Sequence, residues 1–367
     1  MEKKVVPAFS VAICTYNGEL RLPKLLAALA CQKTDCDWEV VIVDNNSCDR
    51  TAHIIHQTQS TWRSTVPLRY CFEPEQGLAF ARRRALTETR SPLIGFLDDD
   101  TLPAANWVEA ALTFAQQHPE VGAYGSSIEG VYEIPPPAEF KRIACCLAVI
   151  DRGNQAFPYA PDRGVLPAGA GMVVSRQAWQ EQVLAVPALS GVNADSLAGK
   201  GEDIETLSYI HRAWPIWHNP AMQLCHLIPK ARLEQDYLLN LFWQIGISRY
   251  PLRRLRYRRW QWPLMAWLYI ANDLRKILWH LITRGFNEQS KQRSGQPSGG
   301  ANEQPGQRPD RKFRRRFYRK LGTVSACEFS LLLGSLWSPV SYYRHRYSHA
   351  IEPLVRLSHW PLTTGQR

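Results

Sequence analysis

The first 125 residues alternate short apolar runs with segments of helical periodicity, and this alternation restricts the fold more than any other feature of the chain. The apolar runs span residues 9–14, 40–43, 68–72 and 93–97. After the first run, leucines recur at helical spacing at positions 22, 25, 26 and 29, and helical segments follow the other runs as well. Strands that alternate with helices of this length predict an α/β fold with a parallel, doubly wound sheet.

Polar side chains follow these strands at the points where they end. Tyr16 lies just past the first strand, Asp44 ends the second, and the acidic run (Asp98, Asp99 and Asp100) follows the fourth. Open α/β sheets bind their ligands beyond the carboxyl ends of the strands. We therefore expect these side chains to lie at one edge of the sheet and to form a ligand site there.

The acidic run places three carboxylates side by side, and they repel one another unless a cation or strong hydrogen-bond donors offset the charge. A divalent metal with a diphosphate would provide that offset, because Mg²⁺ and Mn²⁺ bind one or two carboxylates together with phosphate oxygens. The alternative is an acidic turn that caps the helix that follows.

Three further acidic residues are candidates for ligand contacts. Asp44 could accept hydrogen bonds from a base or a ribose, or it could close an Asx turn or cap a helix. Glu202 and Asp203 follow a glycine-flanked loop and open a helix, a placement that suits a general base. Capping is the alternative for this pair, because carboxylates at a helix N-terminus are favoured electrostatically.

Histidine and arginine provide a second set of candidates. His226 lies in an apolar run, where it is either a buried core histidine or a metal ligand. The segment 77–84 joins a glycine turn to a helix with three arginines, among them Arg82, and both helix N-termini and arginines suit phosphates. An exposed basic face is the alternative for this helix.

Charge divides the chain into two parts. Residues 231–367 hold 24 Lys and Arg against 8 Asp and Glu, whereas residues 1–230 hold 20 against 25. This asymmetry predicts that the C-terminal part meets an anionic partner. Within it, segment 249–262 mixes six arginines with four aromatic residues, and Leu264, Trp267, Leu268 and Leu274 follow with helical character. Such amphipathic, arginine-rich and aromatic segments are typical of the headgroup plane of anionic bilayers. A basic helical subdomain packed on the catalytic core is the alternative.

These patterns predict four segments. They are a catalytic domain over residues 1–230, a basic, aromatic, membrane-associating helical region over 231–286, a disordered linker over 287–310 and a basic helical segment over 311–367. The linker holds Gly, Gln, Pro and Ser with almost no apolar residues. The apolar run 321–340 is broken by Glu328, so the sequence leaves open whether it spans a membrane.

Other features exclude several classes of protein. Nine cysteines show no C-x-x-C pair and the N-terminus holds no apolar segment of signal-peptide length, which favours reduced thiols in the cytosol over secretion. Neither G-x-G-x-x-G nor G-x-x-x-x-G-K-[ST] occurs, which argues against dinucleotide dehydrogenases and P-loop NTPases. A nucleic-acid-binding protein would leave the acidic residues unexplained, and no zinc-finger or RRM signature is present. A nucleotidyltransferase would need a glycine-rich N-terminal loop that the chain lacks.

Six motifs together resemble family-2 glycosyltransferases with the GT-A fold. They are V-A-I-C-T-Y-N (11–17), V-D-N-N-S (43–47), E-Q-G-L-A-F-A-R (75–82), F-L-D-D-D (96–100), G-A-G-M (169–172) and G-E-D (201–203). The motifs follow the family's order over residues 8–230. The G-E-D motif and H-L-I-P (226–229) look most like cyanobacterial enzymes of the hormogonium-polysaccharide type.

The resemblance implies a GT-A fold, with a Rossmann-like, mostly parallel sheet flanked by helices, and a role for each matching residue. The donor would be held by Thr15, Tyr16, Asn17, Asp44, Gly77, Arg82, Asp98, Asp99, Gly169 and Gly171. Mn²⁺ or Mg²⁺ would be bound by Asp100, Asp98 and His226. Asp203 would be the general base, with Glu202 beside it. Where the family has asparagine after its arginine in the helix that follows the glycine turn, this chain has Arg83.

The resemblance further implies an inverting glycosyltransferase. It would move a sugar from a nucleotide-sugar donor, expected to be a UDP-sugar, to a glycan or lipid-linked acceptor in cell-surface or extracellular polysaccharide synthesis. The basic region would attach the enzyme peripherally to an anionic membrane surface, the cytoplasmic face of the cell membrane, and no nucleic-acid partner is expected. The alternative is an inactive family member that acts as a membrane or nucleic-acid-binding scaffold.

Overall fold

A computed structural model describes residues 6–62, 64–184, 189, 201–292, 327, 330–333, 335 and 336 of the chain. Its strands are β1 (Phe9–Thr15), β2 (Trp38–Asp44), β3 (Leu68–Phe72), β4 (Leu93–Asp98), β5 (Thr101–Pro103), β6 (Ala123–Tyr132), β7 (Phe157–Pro158), β8 (Met172–Ser175) and β9 (Ile216–Ile228). Its helices are α1 (Leu22–Ala30), α2 (Thr51–Thr61), α3 (Leu78–Glu88), α4 (Trp107–Gln117), α5 (Arg176–Gln182), α6 (Glu202–Ile210), α7 (Lys230–Leu233), α8 (Gln235–Arg254) and α9 (Trp262–Gln292).

The strands form one sheet in the order β3-β2-β1-β4-β8-β6-β9-β5, and β7 pairs with β9 beside that path. β1 is parallel to β2 and β4, β2 is parallel to β3, and β6 is parallel to β9. β8 is antiparallel to both β4 and β6, and β5 is antiparallel to β9. The predicted α/β fold, with a large, mostly parallel sheet flanked by helices, is confirmed.

Strands β1 and β2 are buried because helices cover both faces of the sheet. Their sequences, F-S-V-A-I-C-T and W-E-V-V-I-V-D, are nearly continuous apolar runs, as expected for strands with two buried faces. One core contains side chains of α1 and α4, and the other contains side chains of α3, α5 and α6. The four leucines of α1 that recur at helical spacing all lie in the first core.

The parallel register brings the carboxyl ends of β1, β2 and β4 to the same edge of the sheet. Thr15 pairs with Asp44 across β1 and β2, and Cys14 pairs with Asp98 across β1 and β4. The polar residues that follow these strands therefore share one edge, as the sequence predicts.

Two long strands, β6 and β9, are not predicted by the sequence. Both carry polar residues that interrupt the apolar pattern, and β9 contains Pro220. They form because each pairs along its length with neighbouring strands, with a shift of register between Ser126 and Ser127. β9 also places His226 opposite Thr101, the residue directly after the acidic run.

Helices α8 and α9 follow the sheet and are joined by a buried salt bridge. Arg253 of α8 lies 2.7 Å from Asp273 of α9, and the hydroxyl of Ser335 donates to the same carboxylate at 2.7 Å. Cys327 and Leu332 are buried in apolar clusters with side chains of these two helices. The described C-terminal residues therefore pack on α8 and α9.

Helix α9 continues to Gln292, so the linker predicted over residues 287–310 is wrong for residues 287–292, which are helical. Residues 293–310 and most of the segment 311–367, including most of the run 321–340, lie outside the described residues. None of the helices in the described ranges combines the length and the hydrophobicity needed to cross a membrane.

Candidate active site

Each of the three carboxylates of the acidic run faces a different arginine. The pairs are Asp98 with Arg82, Asp99 with Arg21, and Asp100 with Arg232. These arginines come from α3, from the turn before α1 and from α7, so the acidic run draws three distant parts of the chain together. The arginines offset much of the repulsion that the sequence predicts between the carboxylates.

Asp99 holds the acidic run to the start of α1. Arg21 donates to both of its oxygens, at 2.7 Å from Nε and 2.9 Å from Nη2, and this bidentate geometry is strong for an arginine and a carboxylate. Thr15 Oγ1 donates to Asp99 Oδ2 at 2.6 Å. The side chains of Thr15 and Asp99 are thus bonded to one another, and their predicted contacts with a donor stay predictions.

Asp100 is buried beside Arg232 and His226. Arg232 Nη2 lies 2.7 Å from Asp100 Oδ2, and His226 Nε2 lies 3.5 Å from the same oxygen. Arg232 Nη1 lies 3.2 Å from His226 Nε2, and His226 Nδ1 donates to the carbonyl oxygen of Leu147 at 2.8 Å. Burial alone would raise the pKa of Asp100, but His226 and Arg232 lower it to about 2. The carboxylate is therefore ionised at neutral pH.

Asp98 is the least neutralised of the three carboxylates. Its nearest arginine nitrogen, Arg82 Nη2, lies 4.0 Å away, and 40% of its side chain is exposed. Burial of the rest, followed by the charge of Asp100, raises the pKa of Asp98 to about 6, against the attraction of Arg82 and His226. A carboxylate in this state has room for another cationic partner.

Asp98 and Asp100 fit a divalent cation that is shared with a ligand. Asp100 Oδ1 is buried without a hydrogen-bond partner, and Asp98 is open on one side. Within the described residues, no group of three or more His, Cys, Asp and Glu is arranged to hold a metal by itself. Mg²⁺ and Mn²⁺ commonly bind one or two carboxylates and complete their shells with phosphate oxygens and water. Two carboxylates therefore suffice, while the predicted ligation by His226 stays a prediction, with Arg232 Nη1 lying 3.2 Å from its Nε2.

Arg82 is a buried cation that joins the end of β4 to the start of α6. It is 4% exposed, and its Nη1 donates to Glu202 Oε1 at 2.9 Å. Burial disfavours the charged guanidinium, but the surrounding carboxylates offset this effect and raise the pKa of Arg82. The alternative interpretation of this helix, an exposed basic face, is wrong for Arg82, which is buried. It is correct for Arg83, which is exposed.

Glu202 and Asp203 are adjacent but differ in their surroundings. Glu202 is 7% exposed and is paired with Arg82, and its pKa is raised by burial and then by the charge of Asp203. Asp203 is half-buried; its Oδ2 accepts from the N–H of Gly169 at 2.9 Å and its Oδ1 from the N–H of Ile204 at 2.8 Å. Of the two, Asp203 is the carboxylate that a hydroxyl group can approach, which is the first requirement for a general base.

The loop before β8 reaches these carboxylates because it contains glycines. A Cβ atom on Gly169 would lie 2.4 Å from Arg82 Nη2 and 2.9 Å from Asp203 Oδ2. Gly171 has a φ of +71°, and a Cβ atom there would lie 2.2 Å from Leu224 Cδ1. Side chains at either position would therefore displace the loop from the site.

Asp44, at the end of β2, is held by two hydrogen bonds. The N–H of Ser47 donates to Oδ1 at 3.0 Å, and the hydroxyl of Tyr70 donates to Oδ2 at 3.1 Å. The first bond closes a turn after the strand by joining residues three apart, whereas an Asx turn joins residues two apart. Burial and the charge of Asp44 raise the pKa of Tyr70 to about 12, so its hydroxyl remains a donor.

The remaining predicted donor-binding residues lie near Asp44. Tyr16 is exposed, with its hydroxyl 3.8 Å from Cys48 Sγ. Asn17 has a left-handed backbone with a φ of +50°, and its Oδ1 accepts from the N–H of Cys48 at 2.9 Å. Gly77 precedes α3 and donates its N–H to Asn45 Oδ1 at 2.7 Å. The predicted residues therefore form two neighbouring groups, one at the ends of β1 and β2 and one around the end of β4.

Sequence reasoning missed Arg21 and Arg232, the partners of Asp99 and Asp100. Arg21 lies in a turn and Arg232 in the short helix α7, and neither belongs to a motif. The signal in the sequence is indirect, since three adjacent carboxylates require cationic partners from elsewhere.

Residues 10–157, which carry the ends of β1, β2 and β4 and the acidic run, match the sequence model of the family described as glycosyl transferase family 2. Because of this match, we call residues 10–157 the glycosyltransferase domain. The match ends before Gly169, so Glu202, Asp203, His226 and Arg232 lie beyond it. Their placement at the glycosyltransferase domain's acidic run comes from the tertiary structure.

The chain is similar to several curated proteins. Validoxylamine A glucosyltransferase from Streptomyces hygroscopicus subsp. limoneus is 34% identical over 110 residues, which are 29% of this chain and 23% of that protein. The UDP-Glc:alpha-D-GlcNAc-diphosphoundecaprenol beta-1,3-glucosyltransferase WfaP from Escherichia coli is 26% identical over 166 residues, which are 41% of this chain and 64% of that protein. The matched segment spans 23% to 25% of the length of the first relatives, so this chain matches about a quarter of those proteins.

A solved structure resembles this chain over most of its length. The mannosyltransferase PcManGT from Pyrobaculum calidifontis, in complex with GDP-Man and Mn²⁺, superposes with a TM-score of 0.54 over 91% of this chain and 88% of that one. The two sequences are 19% identical, so the similarity shows the fold alone. It agrees with the GT-A architecture that the motifs of the glycosyltransferase domain predict.

Proposed function

We propose that this chain moves a sugar from a UDP-sugar donor to a hydroxyl group of a glycan or lipid-linked acceptor, in cell-surface or extracellular polysaccharide synthesis. The observation that carries the proposal is the position of buried Arg82 between Asp98 and Glu202. On one side of Arg82 lie carboxylates that fit a metal with a diphosphate. On the other side lies Asp203, an accessible carboxylate that fits a general base.

The proposed reaction is a single displacement with inversion at the anomeric carbon. Asp203 removes the proton from the acceptor hydroxyl while the hydroxyl oxygen bonds to the anomeric carbon. The bond between that carbon and the phosphate oxygen of the donor breaks, and its electron pair leaves with the nucleoside diphosphate. A positioned general base contributes about 10²–10⁴-fold to the rate of such a step.

Neighbouring residues orient this base and bind the donor. The N–H groups of Gly169 and Ile204 fix both oxygens of Asp203, and Arg82 holds Glu202 away from the acceptor. Asp98 and Asp100 would hold Mn²⁺ or Mg²⁺, which supplies charge stabilisation to the leaving diphosphate when bound. Asp44 and Tyr16 would contact the nucleoside from the ends of β2 and β1.

The substrate class is supported by the named relatives. The Escherichia coli relative carries UDP-glucose and a diphosphoundecaprenol-linked GlcNAc in its name. A UDP-sugar and a lipid-linked acceptor are therefore the classes to test first. Within the family, the G-E-D and H-L-I-P motifs support a finer placement among enzymes of the hormogonium-polysaccharide type.

The proposal includes peripheral attachment to the cytoplasmic face of the cell membrane. It is supported by the excess of basic residues in residues 231–367, where 24 Lys and Arg stand against 8 Asp and Glu. An anionic lipid surface is the expected partner of this part, because basic residues near such a surface contribute about 1 kcal/mol each. Attachment would bring the active site to a lipid-linked acceptor.

The first experiment measures binding and hydrolysis of UDP-, GDP- and dTDP-sugars by the full chain, with and without Mn²⁺. Asp100→Asn is the test variant, and Asp162→Asn is the matched control because the side chain of Asp162 is 91% exposed. Metal-dependent turnover of one donor, lost in Asp100→Asn and kept in Asp162→Asn, is the expected result. Failure to bind any donor under either condition would favour the inactive scaffold.

A further inference from the structure

The outer side of helix α9 exposes a row of large apolar side chains. The row, which we call the outer face of α9, consists of Leu264, Trp267, Leu268, Ala271, Leu274, Leu278, Trp279 and Ile282. Their spacing of three and four residues keeps them on one side of an α-helix. At 1.5 Å of rise per residue, the row is about 27 Å long.

The opposite side of α9 is already covered by the protein. Trp262 and Ile277 are buried there, and the indole N–H of Trp262 donates to the hydroxyl of Tyr250 at 3.0 Å. Leu332 packs in one cluster with Ile277. The described C-terminal residues therefore cover the inner side of α9 and leave the outer face exposed, with Trp267 at 72%.

An exposed apolar row of this length marks an interaction site. Monomeric proteins rarely expose large contiguous apolar patches without a function for them. Helix α9 is apolar on two sides. Its inner side is buried, and its outer side is exposed.

Exposed basic side chains lie within α9 and just before it. Arg275 and Lys276 belong to the helix, and Arg256, Arg258 and Arg259 precede its first residue. Between positions 249 and 282 the sequence contains a single acidic residue, Asp273, which is buried and paired with Arg253. The charge around the outer face is therefore positive, which matches an anionic surface.

We infer that the outer face of α9 is an interfacial surface that lies in the headgroup region of an anionic lipid bilayer. Tryptophans at the interface with arginines around an apolar face are typical of helices that lie in the membrane plane. Arg275 lies within the row, where its stem can follow the apolar surface while its guanidinium reaches a lipid phosphate.

This inference rests on the membrane attachment proposed above and assigns the contact to α9. The sequence predicts this contact from the arginine-rich segment 249–262 together with the apolar residues that follow it, and segment 249–262 is partly turned inward. Tyr250 and Trp262 are buried within it, and Arg253 is used in the salt bridge to Asp273. The exposed arginines of that segment, Arg256 and its neighbours, then add charge at one end of the outer face.

The experiment measures binding of the full chain to vesicles of phosphatidylcholine, with and without an equimolar share of phosphatidylglycerol. The test variant is Trp267→Gln with Leu268→Gln, which removes two apolar side chains without changing charge. Leu184→Gln, at an exposed leucine on another surface, is the matched control. We expect the full chain and the control to bind vesicles with phosphatidylglycerol, and the double variant to bind at least about tenfold more weakly.

Other results would overturn the inference in distinguishable ways. Equal binding by the double variant would leave membrane attachment standing but move the contact away from α9. No vesicle binding by the full chain would reject both. Self-association that the double variant abolishes, without vesicle binding, would show that a second copy of the chain covers the outer face. Donor hydrolysis, measured on the same samples, reports separately on the proposed transferase activity.

Discussion

At the scale of single residues, the site depends on charged groups that are buried in pairs. Arg82 is 4% exposed and Glu202 is 7% exposed, with 2.9 Å between Nη1 and Oε1. Such a pair contributes little net stability, but removal of one partner leaves an uncompensated buried charge. We therefore infer that this pair holds α3 against α6. It thereby fixes the distance between the acidic run and Asp203.

Replacement of Arg82 tests this view. We expect Arg82→Met to lower the free energy of unfolding by about 3–5 kcal/mol, because Glu202 would remain buried without its partner. Adding Glu202→Met should restore part of that loss, as measured by urea denaturation. Arg142→Met, at a pair in which both side chains are about half exposed, serves as control and should cost at most about 1 kcal/mol. A double variant no more stable than Arg82→Met would contradict the role of the pair.

Substitutions of Asp203 and of Glu202 should have different effects on activity and stability. Asp203→Asn should reduce the transfer rate by about 10²–10⁴-fold while the donor dissociation constant stays the same, because the base acts on the acceptor. Glu202→Gln should instead lower stability as well, since Arg82 loses its charged partner. Single-turnover kinetics and calorimetric donor binding measure the two effects. Loss of donor binding in Asp203→Asn would remove the assignment of Asp203 as base.

At the scale of elements, two short connections complete the site. The loop before β8 brings Gly169 to Asp203, and helix α7 brings Arg232 to Asp100. Both lie outside the matched family segment, residues 10–157. Their positions depend on β8 and β9, which carry them to the end of β4 by pairing in the sheet.

The loop before β8 should tolerate no side chain at Gly171. Gly171→Ala and Gly153→Ala both place alanine at positive φ, which costs about 1–2 kcal/mol. A Cβ atom at Gly153 meets nothing within 4 Å, whereas at Gly171 it would also overlap Leu224 and add about 1–3 kcal/mol. Urea denaturation should therefore show a larger loss for Gly171→Ala. Equal losses would mean that the loop moves freely away from β9.

Replacement of Arg232 in helix α7 should change the affinities for metal and for donor in opposite directions. Arg232→Gln removes a positive charge 2.7 Å from Asp100, so Mn²⁺ without donor should bind about tenfold more tightly. UDP should bind more weakly, because a cation that attracts the diphosphate is lost. Electron paramagnetic resonance of free Mn²⁺ and calorimetry with UDP measure these changes, with Arg142→Gln as control. Weaker Mn²⁺ binding would instead indicate that Arg232 acts by positioning Asp100.

At the scale of the whole molecule, a triad around buried Asp273 ties the C-terminal part together. Asp273 is 1% exposed and is bonded to Arg253 of α8 and to Ser335. Burial alone would raise the pKa of Asp273, but these two partners lower it below its usual value. The triad therefore orients α9, and with it the outer face, relative to α8.

The lowered pKa of Asp273 predicts a dependence of stability on pH. A carboxyl group whose pKa is lower in the folded than in the unfolded state stabilises the fold above the unfolded value of about 3.9. That stabilisation is lost as the pH falls through the folded pKa. The difference in unfolding free energy between the natural chain and Asp273→Asn should thus be largest at neutral pH and shrink below about pH 4. A difference that does not change with pH would contradict the ionised triad.

Much of the N-terminal fold was predictable because it depends on local periodicity. The leucines of α1, the apolar runs of β1 to β4 and the polar residues at their ends are all readable along the chain. Strands β6 and β9 were not, because their polar residues and Pro220 are compensated only by pairing with distant strands. The predicted start of the linker at residue 287 is wrong, because helix α9 continues through polar residues to Gln292.

The sequence by itself determined the α/β alternation, the edge of the sheet where the acidic residues gather and the motifs of a glycosyltransferase domain. Only the tertiary structure decided which of the three adjacent carboxylates has room for a further cation. Their arginine partners, at positions 21, 82 and 232, are far apart along the chain and meet only when the sheet forms. The tertiary structure likewise decided which side of α9 is exposed, because both sides of that helix carry apolar residues and only packing against α8 distinguishes them.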